Sequence, residues 1–249
     1  MISTISICLN AADNIKTTLN SVNSQTNQNY EHIVKDGLST DDTIGILSEF
    51  NNSKMKFFSY ADRGIYNAFN QALEHCSGEY INFLNAGDYY VDDDVLNKVE
   101  SKIKETNCDL IYGDLNVFRE DADTKLLTRT WKAGEFKHSN LKFGWMPPHP
   151  TVFVKKSIFE TLGNFNEKFS ISGDYDWLLR ALKTRDLNVE YLNIDLVNME
   201  FGGVSQSMYI KSFVEDTIIG FHHRNILLPA LKRLAKIGQF HMFRKRLLL

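Results

Sequence analysis

An α/β fold with a mostly parallel central sheet is what this sequence predicts, and three observations carry that expectation. Hydrophobic periodicity switches repeatedly between two and 3.6 along the first hundred residues, the mark of strands alternating with helices. Successive strand and helix segments favour parallel strands joined by right-handed crossovers. The 249 residues, 43% apolar and 12% aromatic, supply a substantial core, and no apolar run approaches the roughly 18 residues of a membrane-spanning helix. Four prolines and fourteen glycines exclude collagen-like and low-complexity classes.

Taken in order, Thr4 to Leu9 reads as a short buried strand. Asp13 is a candidate cap for a helix whose Ile15, Leu19 and Val22 share one face. Tyr30 to Val34 is a second strand, followed by the turn-rich Asp36-Gly37-Leu38-Ser39-Thr40-Asp41-Asp42-Thr43 and a helix carrying Ile46, Leu47 and Phe50. Met55 to Tyr60 is a third strand. Ile65, Phe69, Ala72, Leu73 and Cys76 stripe a helix closed by Gly78, ahead of the strand Tyr80 to Leu84. Val95, Leu96, Val99 and Ile103 mark another helix and Leu110 to Tyr112 another strand. Residues 119–150 read as irregular; a helix near Asp174 and a strand around 189–197 follow. One α/β body over 1–219, with an appended tail over 220–249, is the expected organisation.

Charge divides the chain the same way. From residue 220 onward there are seven basic residues and no Asp or Glu, which leaves 21 basic against 31 acidic residues in 1–219. An acidic body argues against a nucleic-acid partner. In the tail, Leu227, Leu231, Leu234 and Ala235 share a helical face while Lys232, Arg233 and Lys236 occupy another. Such a helix either lies on an anionic membrane or docks on the body or on a second subunit, as in a homodimer. The first residues read as a strand and lack an export signal, so cytoplasmic folding is expected, with the inner face of the cell membrane as the surface within reach of the tail. Cys8, Cys76 and Cys108, odd in number and without C-x-x-C spacing, are expected as buried reduced thiols.

Ligands of an open parallel sheet bind beyond the carboxyl ends of its strands, so the polar residues just after strands are the first candidates: Asn10, the Asp36 turn and Asn85-Ala86-Gly87-Asp88. No G-x-G-x-x-G follows the first strand and no P-loop occurs. Asp88, after the apolar Tyr80 to Leu84, is either a hard oxygen ligand for Mg²⁺ or Mn²⁺ carrying a diphosphate or a turn aspartate. Asp92, Asp93 and Asp94 read as helix-start residues. Asp174 is either a helix cap or a general base, and Asp176 and Arg180, at i and i+4, can pair. His149 sits between two prolines, as a metal ligand, a phosphate donor or a structural hydrogen-bonding group. Gly202 and Gly203 with Ser205 form a loop, and Trp131 and Trp145 either stack on a sugar or pack in the core.

In combination and in this order, the strand ending at Asn10, Ile33 to Asp41, Asp62-Arg63-Gly64-Ile65-Tyr66-Asn67-Ala68-Phe69-Asn70, Gly78 to Asp88, His149-Pro150-Thr151, Gly163-Asn164-Phe165 and Gly173-Asp174-Tyr175-Asp176 resemble glycosyltransferase family 2. These are inverting enzymes of the GT-A fold, and the variant is similar to bacterial transferases that assemble capsule, O-antigen or exopolysaccharide. The resemblance covers about Ser3 to Ser205. It implies a nucleotide-sugar-binding half over 1–95 and an acceptor half over 96–219. It further implies that Asp36, Asp62, Arg63 and Asn70, with Asn10 and Asn85, hold a nucleoside-diphosphate sugar. Asp88 would bind a divalent metal, Mn²⁺ or Mg²⁺, with His149 as a further ligand. Asp174 would deprotonate a hydroxyl of a glycan or lipid-linked acceptor, and Trp145, Gly203 and Ser205 would line the acceptor side. The chain departs from the family pattern in one respect: of the usual Asp-x-Asp-Asp run only the last carboxylate remains, in Asn85-Ala86-Gly87-Asp88, which implies weak metal retention. Two other classes compete. A sugar nucleotidyltransferase would carry a Gly-rich basic loop after its first strand, and Leu9-Asn10-Ala11-Ala12 has none; a catalytically silent glycan-binding protein of the same fold is the other.

Overall fold

The computed structural model describes residues 1–121, 124–202 and 208–223. In chain order its elements are β1 (Ile2–Cys8), α1 (Ile15–Asn23), β2 (Tyr30–Asp36), α2 (Thr43–Phe50), β3 (Met55–Ser59), α3 (Ile65–Leu73), β4 (Tyr80–Phe83), β5 (Tyr89–Tyr90), α4 (Val95–Thr106), β6 (Leu110–Asp121), β7 (Thr124–Trp131), α5 (His138–Leu141), a 3₁₀ turn (His149–Thr151), β8 (Phe153–Lys155), α6 (Lys156–Leu162), α7 (Gly173–Leu182), β9 (Val189–Glu200) and α8 (Tyr209–His222). The strands form one sheet in the order β3-β2-β1-β4-β8-β6-β9-β5, with β7 paired to β6.

The alternation of side chains across the strands divides the core between the two faces of the sheet. Ile5, Ile33, Ile81 and Phe83 pack with α3, α6 and α7, around Phe69, Phe159, Trp177 and Leu178. Ile2, Tyr80 and Leu84 pack on the other side with Val22 of α1 and Val95, Leu96 and Val99 of α4, while Val34 joins Ile15, Leu19, Ile46 and Leu47 of α1 and α2. All three cysteines are free and buried. Burial pushes the Cys8 and Cys76 thiols up to about 12, so neither is a nucleophile.

β1 through β4 are the parallel βα units that the periodicity indicates. Beyond them the structure differs from the sequence reading. Residues 119–150 are not irregular throughout: β6 continues to Asp121 and turns back as β7, a long hairpin with a bulge at Val117/Phe118. β8 is antiparallel to both β4 and β6, and its three residues are too few to show a period. The first helix starts behind Asn14 rather than Asp13, with no side-chain cap bond. Asp92, Asp93 and Asp94 do precede α4, where Asp92 accepts the Asp94 N–H at 2.9 Å and pairs with Lys98 at 2.6 Å.

α8 runs through the 219/220 position at which body and tail were expected to part. Its Glu215 carboxylate accepts backbone N–H groups of Ser170, Ile171 and Ser172 at 2.9–3.0 Å, fixing the loop that enters α7. At its end His223 meets Asp176 at 2.9 Å, and Asp176 also takes Arg180 at 3.1 Å, the expected i, i+4 pair but with a buried carboxylate. The tail residues from Leu227 to Ala235 lie outside the described residues, as do Gly203 and Ser205. Among the described residues, no helix is long and apolar enough to cross a membrane.

Candidate active site at the strand termini

Strand register brings the polar loops to one rim. Cys8 pairs with Asp36 and Asp36 with Ser59 at the carboxyl ends of β1, β2 and β3, and β4 runs parallel beside β1. β8 is antiparallel to β4, so the 3₁₀ turn that precedes it emerges where β4 ends. Asn10, Asp36, Asp62, Asn85, Asp88 and His149 therefore share the rim at which sheets of this kind take ligands.

The loops after β1 and β2 are stitched together. Asn10, at φ +51°, accepts the Thr40 N–H at 2.8 Å and gives its own N–H to Ser39 Oγ at 2.7 Å; the Ala12 N–H goes to Asp41 and that of Ala11 to Thr43. Asp36 is fully buried and organises this turn: it accepts N–H groups of Leu38 and Ser39 at 2.9 and 3.0 Å and hydroxyls of Ser39 and Ser59. Burial raises its pKa, but those hydrogen bonds outweigh burial and hold the carboxyl below the ordinary carboxylate range. Leu9 and Leu38 stand exposed at this turn, 61% and 52%, and Leu38 holds φ +68°. A branched side chain in the left-handed region costs about 1 kcal/mol, strain of the kind that collects at ligand sites. Leu9 thus lies beyond the buried strand expected over Thr4 to Leu9, since β1 ends at Cys8, and at position 38 the departure from turn-forming residue types is the signal the sequence carries.

Lys35, in the segment Ile33 to Asp41, is a further residue of this rim that spacing alone does not mark. Its Nζ, fully buried, donates to Asp62 Oδ2 at 2.8 Å and to the Asp36 carbonyl at 2.7 Å, and lies 4.9 Å from the centre of the Tyr60 ring. Gly37 leaves room for this pair: a Cβ there would stand 2.9 Å from Asp62 Oδ2. Asp62 Oδ1 accepts the Gly64 N–H at 3.0 Å, so Asp62 bridges Lys35 and the start of α3.

Arg63 and Asn70 converge on a residue absent from the sequence reading, Glu167. Arg63 pairs with it at 2.7 Å, Asn67 donates to it at 3.0 Å and Asn70 at 3.1 Å. Hydrogen bonds from Asn67, Arg63 and Asn70 bring its pKa down to about 2. Asn70 also exchanges hydrogen bonds with the backbone of Phe165, so its amide fastens the 165–167 loop to α3.

One helix turn earlier on α3, Tyr66 fixes the start of α7. Its hydroxyl donates to the Ile171 carbonyl at 2.6 Å and to Asp174 Oδ1 at 3.0 Å. A Cβ on Gly173 would lie 2.7 Å from the Tyr66 ring, so only glycine permits this approach. Burial first, and the Asp174 charge second, push the Tyr66 phenol well above its ordinary pKa and keep it a donor. His149 stacks on Phe83 at 5.2 Å, edge-on to Phe69 and Phe165. Burial lowers its pKa against the opposing pull of the Asp174 charge, so the ring is neutral. The charge that reaches His149 is thus that of Asp174 rather than Asp88.

Asp88 closes the turn after β4. Thr18 Oγ1 donates to the Asp88 carbonyl at 2.7 Å and accepts the Gly87 N–H at 3.0 Å, and Gly87 adopts φ +95°. β5 pairs antiparallel with β9, Tyr89 to Asn198, and so lays Glu200 beside Asp88. Burial pushes the Asp88 carboxyl up to about 8; the Glu200 N–H lowers it and the Glu200 carboxylate raises it further. Asn85 Oδ1, three residues before, is buried without a hydrogen-bond partner. Next to this turn a cavity of about 150 Å³ is lined by Asp13, Asn14, Thr17, Gly87, Tyr89 and Glu200, among others. No cluster of three or more His, Cys, Asp or Glu residues suited to a metal occurs among the described residues. Trp145, partly buried, gives its indole N–H to the Ala133 carbonyl at 3.1 Å and packs on Tyr112 and Phe136.

The family model described as Glycosyl transferase family 2 matches residues 3–170. The chain belongs to glycosyltransferase family 2. It is similar to the PGL/p-HBAD biosynthesis glycosyltransferase of Mycobacterium tuberculosis, 29% identical over 220 residues that make up 86% of this chain and 83% of that protein. It also resembles the UDP-Glc:alpha-D-GlcNAc-diphosphoundecaprenol beta-1,3-glucosyltransferase WfgD of Escherichia coli, 32% identical over 221 residues, 86% of this chain and 82% of WfgD. Among solved structures, TarS 1–349 of S. aureus in complex with UDP-GlcNAc superposes with a TM-score of 0.68 at 18% identity, covering 88% of this chain and 66% of that one. A mannosyltransferase of Pyrobaculum calidifontis in complex with GDP-Man and Mn²⁺ gives 0.63 at 16%, covering 89% and 64%. At these identities the structures establish the GT-A fold alone. The family establishes that this chain is a glycosyltransferase.

Proposed function

We propose that this glycosyltransferase moves a sugar from a nucleoside-diphosphate sugar to a hydroxyl of a glycan or lipid-linked acceptor in bacterial surface polysaccharide synthesis, with inversion at the anomeric carbon. The observation that supports this most directly is that Tyr66 at the start of α3 holds Asp174 at 3.0 Å while the Asp174 charge reaches His149, on the 3₁₀ turn that emerges where β4 ends. The names of the relatives point the same way: WfgD acts with UDP-Glc on a diphosphoundecaprenol-linked sugar.

In this reading Asp174 takes the proton from the acceptor hydroxyl as that oxygen attacks the anomeric carbon. Tyr66 aims the carboxylate, and the neutral His149 ring walls the aromatic side of the site. The turn around Asp36, with Asn10, Lys35 and Asp62, receives the nucleoside, and the exposed Leu9 and Leu38 supply apolar contact for its base. Arg63 and Asn70 shape this side through Glu167. Gly203 and Ser205, with Trp145, belong to the acceptor side. Residues 1–95 then serve the nucleotide sugar and 96–219 the acceptor, with 220–249 as a basic tail on the inner membrane face; docking of that tail on the body or on a second subunit, as in a homodimer, is the alternative.

A buried carboxyl raised to about 8 and an orphaned amide oxygen three residues away fit a divalent cation, so Asp88 and Asn85 would hold Mn²⁺ or Mg²⁺, whose chemistry there is to neutralise charge on the departing diphosphate. Glu200 is better placed to assist than His149, since it is Glu200 that acts on Asp88.

A panel of UDP-, GDP- and dTDP-sugars screened for thermal stabilisation, with and without Mn²⁺, tests the donor assignment. One nucleotide sugar is expected to raise the melting temperature, more strongly with Mn²⁺. Absence of a shift across the whole panel would refute it. A second expectation concerns Tyr66. Tyr66→Phe removes the hydroxyl that holds Asp174 and should lower kcat about tenfold with the donor KM unchanged, because the base is displaced while the nucleotide contacts persist. Steady-state kinetics decide, and a change confined to KM would contradict the positioning role.

A further inference from the structure

We infer that the outward face of α8 is a docking surface for an anionic phospholipid bilayer, in continuity with the basic segment that follows it. Ile210, Val214, Ile218 and Phe221 recur at i, i+4, i+8 and i+11 and are 80%, 48%, 53% and 61% exposed, a single apolar stripe along one side of the helix. The opposite side is anchored: Glu215 binds the N–H groups of Ser170 to Ser172, Ile219 is buried in the α3/α7 core, and His223 meets Asp176. The stripe is therefore presented by a helix held rigidly to the body.

The charge pattern selects the occupant. Both acidic residues of α8, Glu215 and Asp216, are buried inward, and the exposed polar residues beside the stripe are Lys211 and His222. The next 26 residues, 224–249, contain seven Lys or Arg and no Asp or Glu. The rest of the chain carries ten more acidic than basic residues, so the most basic acid-free stretch of sequence follows directly on the long exposed apolar face of α8. An apolar stripe bordered by cations, with no anion facing outward, is the pattern of a helix lying in the interface of an anionic bilayer. A self-association face gains nothing from excluding acids, and a second copy would bring its own basic segment against the first.

This inference rests on the peripheral-membrane reading of the tail and adds to it a rigid, body-attached face, which fixes the orientation of the rim relative to the bilayer. The test is flotation of the full-length protein with vesicles of phosphatidylcholine alone and with about one third phosphatidylglycerol. Wild type should float with the anionic vesicles only. Ile218→Ser combined with Phe221→Ser should reduce the bound fraction about tenfold, with melting temperature and nucleotide-sugar stabilisation unchanged. Replacing Lys232, Arg233 and Lys236 by Gln in the intact chain should also weaken binding, and the two sets should act together. If the α8 variant floats like wild type while the tail variant does not, the α8 face is excluded and the tail reading survives. If wild type does not float yet transfers sugar to a soluble acceptor, both membrane statements fall and the transferase assignment stands. Light scattering that finds a dimer dissociated by the α8 changes, with flotation unaltered, would assign the face to self-association instead.

Discussion

Asp174→Asn is expected to reduce turnover by about 10²–10⁴-fold while nucleotide-sugar binding stays within about twofold of wild type. The substitution keeps the shape and the oxygen to which Tyr66 donates at 3.0 Å, and it leaves the anchoring of the preceding loop by Glu215 untouched. What it removes is a negative charge in the first turn of α7, worth about 0.3–1 kcal/mol to the helix, and the ability to accept a proton. A cap without chemical function would therefore show a small loss of stability and normal kinetics, whereas a base shows the reverse. Single-turnover rates with a saturating donor separate the two, and a rate within a few-fold of wild type would remove Asp174 from the mechanism.

Asp88→Asn should make the metal-free protein more stable and the enzyme inactive. The folded-state pKa of about 8 lies above the value of 3.8 for a free aspartate, chiefly because the carboxyl is buried. Between those values the native state keeps a proton that the unfolded chain has released, so this group's contribution to stability is complete below about pH 4 and is lost as pH rises through about 8. The slope is about 1.4 kcal/mol per pH unit, and a few kcal/mol in total after relaxation around the charge. Asparagine does not titrate. The stability difference between Asp88→Asn and wild type should thus grow from pH 5 to pH 8 in favour of the variant, by about 1–3 kcal/mol in urea unfolding. Mn²⁺ with the nucleotide sugar should reverse the order, since only the carboxylate repays its burial by holding the cation. A difference that does not vary with pH, or an equal response of both proteins to Mn²⁺, would contradict the assignment. A destabilised active-site group of this sort is a common trade of stability for function.

The half proposed to take the nucleotide sugar is the more legible half. Successive apolar runs and amphipathic stripes define β1 to β4 and their helices, because β1, β2 and β4 are buried on both faces and read as continuous apolar runs. Legibility failed where elements are short or half-exposed. β8 has three residues, and β7 carries exposed Leu126 and Leu127, which break the expected inside–outside alternation. β6 was cut short after Tyr112 because Gly113 and Asp114 interrupt its apolar run, although Gly113 is required there by Leu196, which a Cβ would approach to 2.6 Å.

Within the site, the sequence by itself determined which chemical groups are on hand: carboxylates after strands, a glycine before Asp174, and one surviving carboxylate in the Asn85 to Asp88 run. Only the tertiary structure decided their partners. Glu200 reaches Asp88 across 112 positions because β5 and β9 pair, Tyr66 reaches Asp174 across 108 because α3 and α7 lie on one face of the sheet, and Glu167 gathers Arg63, Asn67 and Asn70. It also turned Glu215 and Asp216 of α8 inward and Ile210 and Ile218 outward. Periodicity records what each segment buries, a local property of the chain; which distant side chain arrives at hydrogen-bonding distance depends on strand order and register, which no single segment encodes.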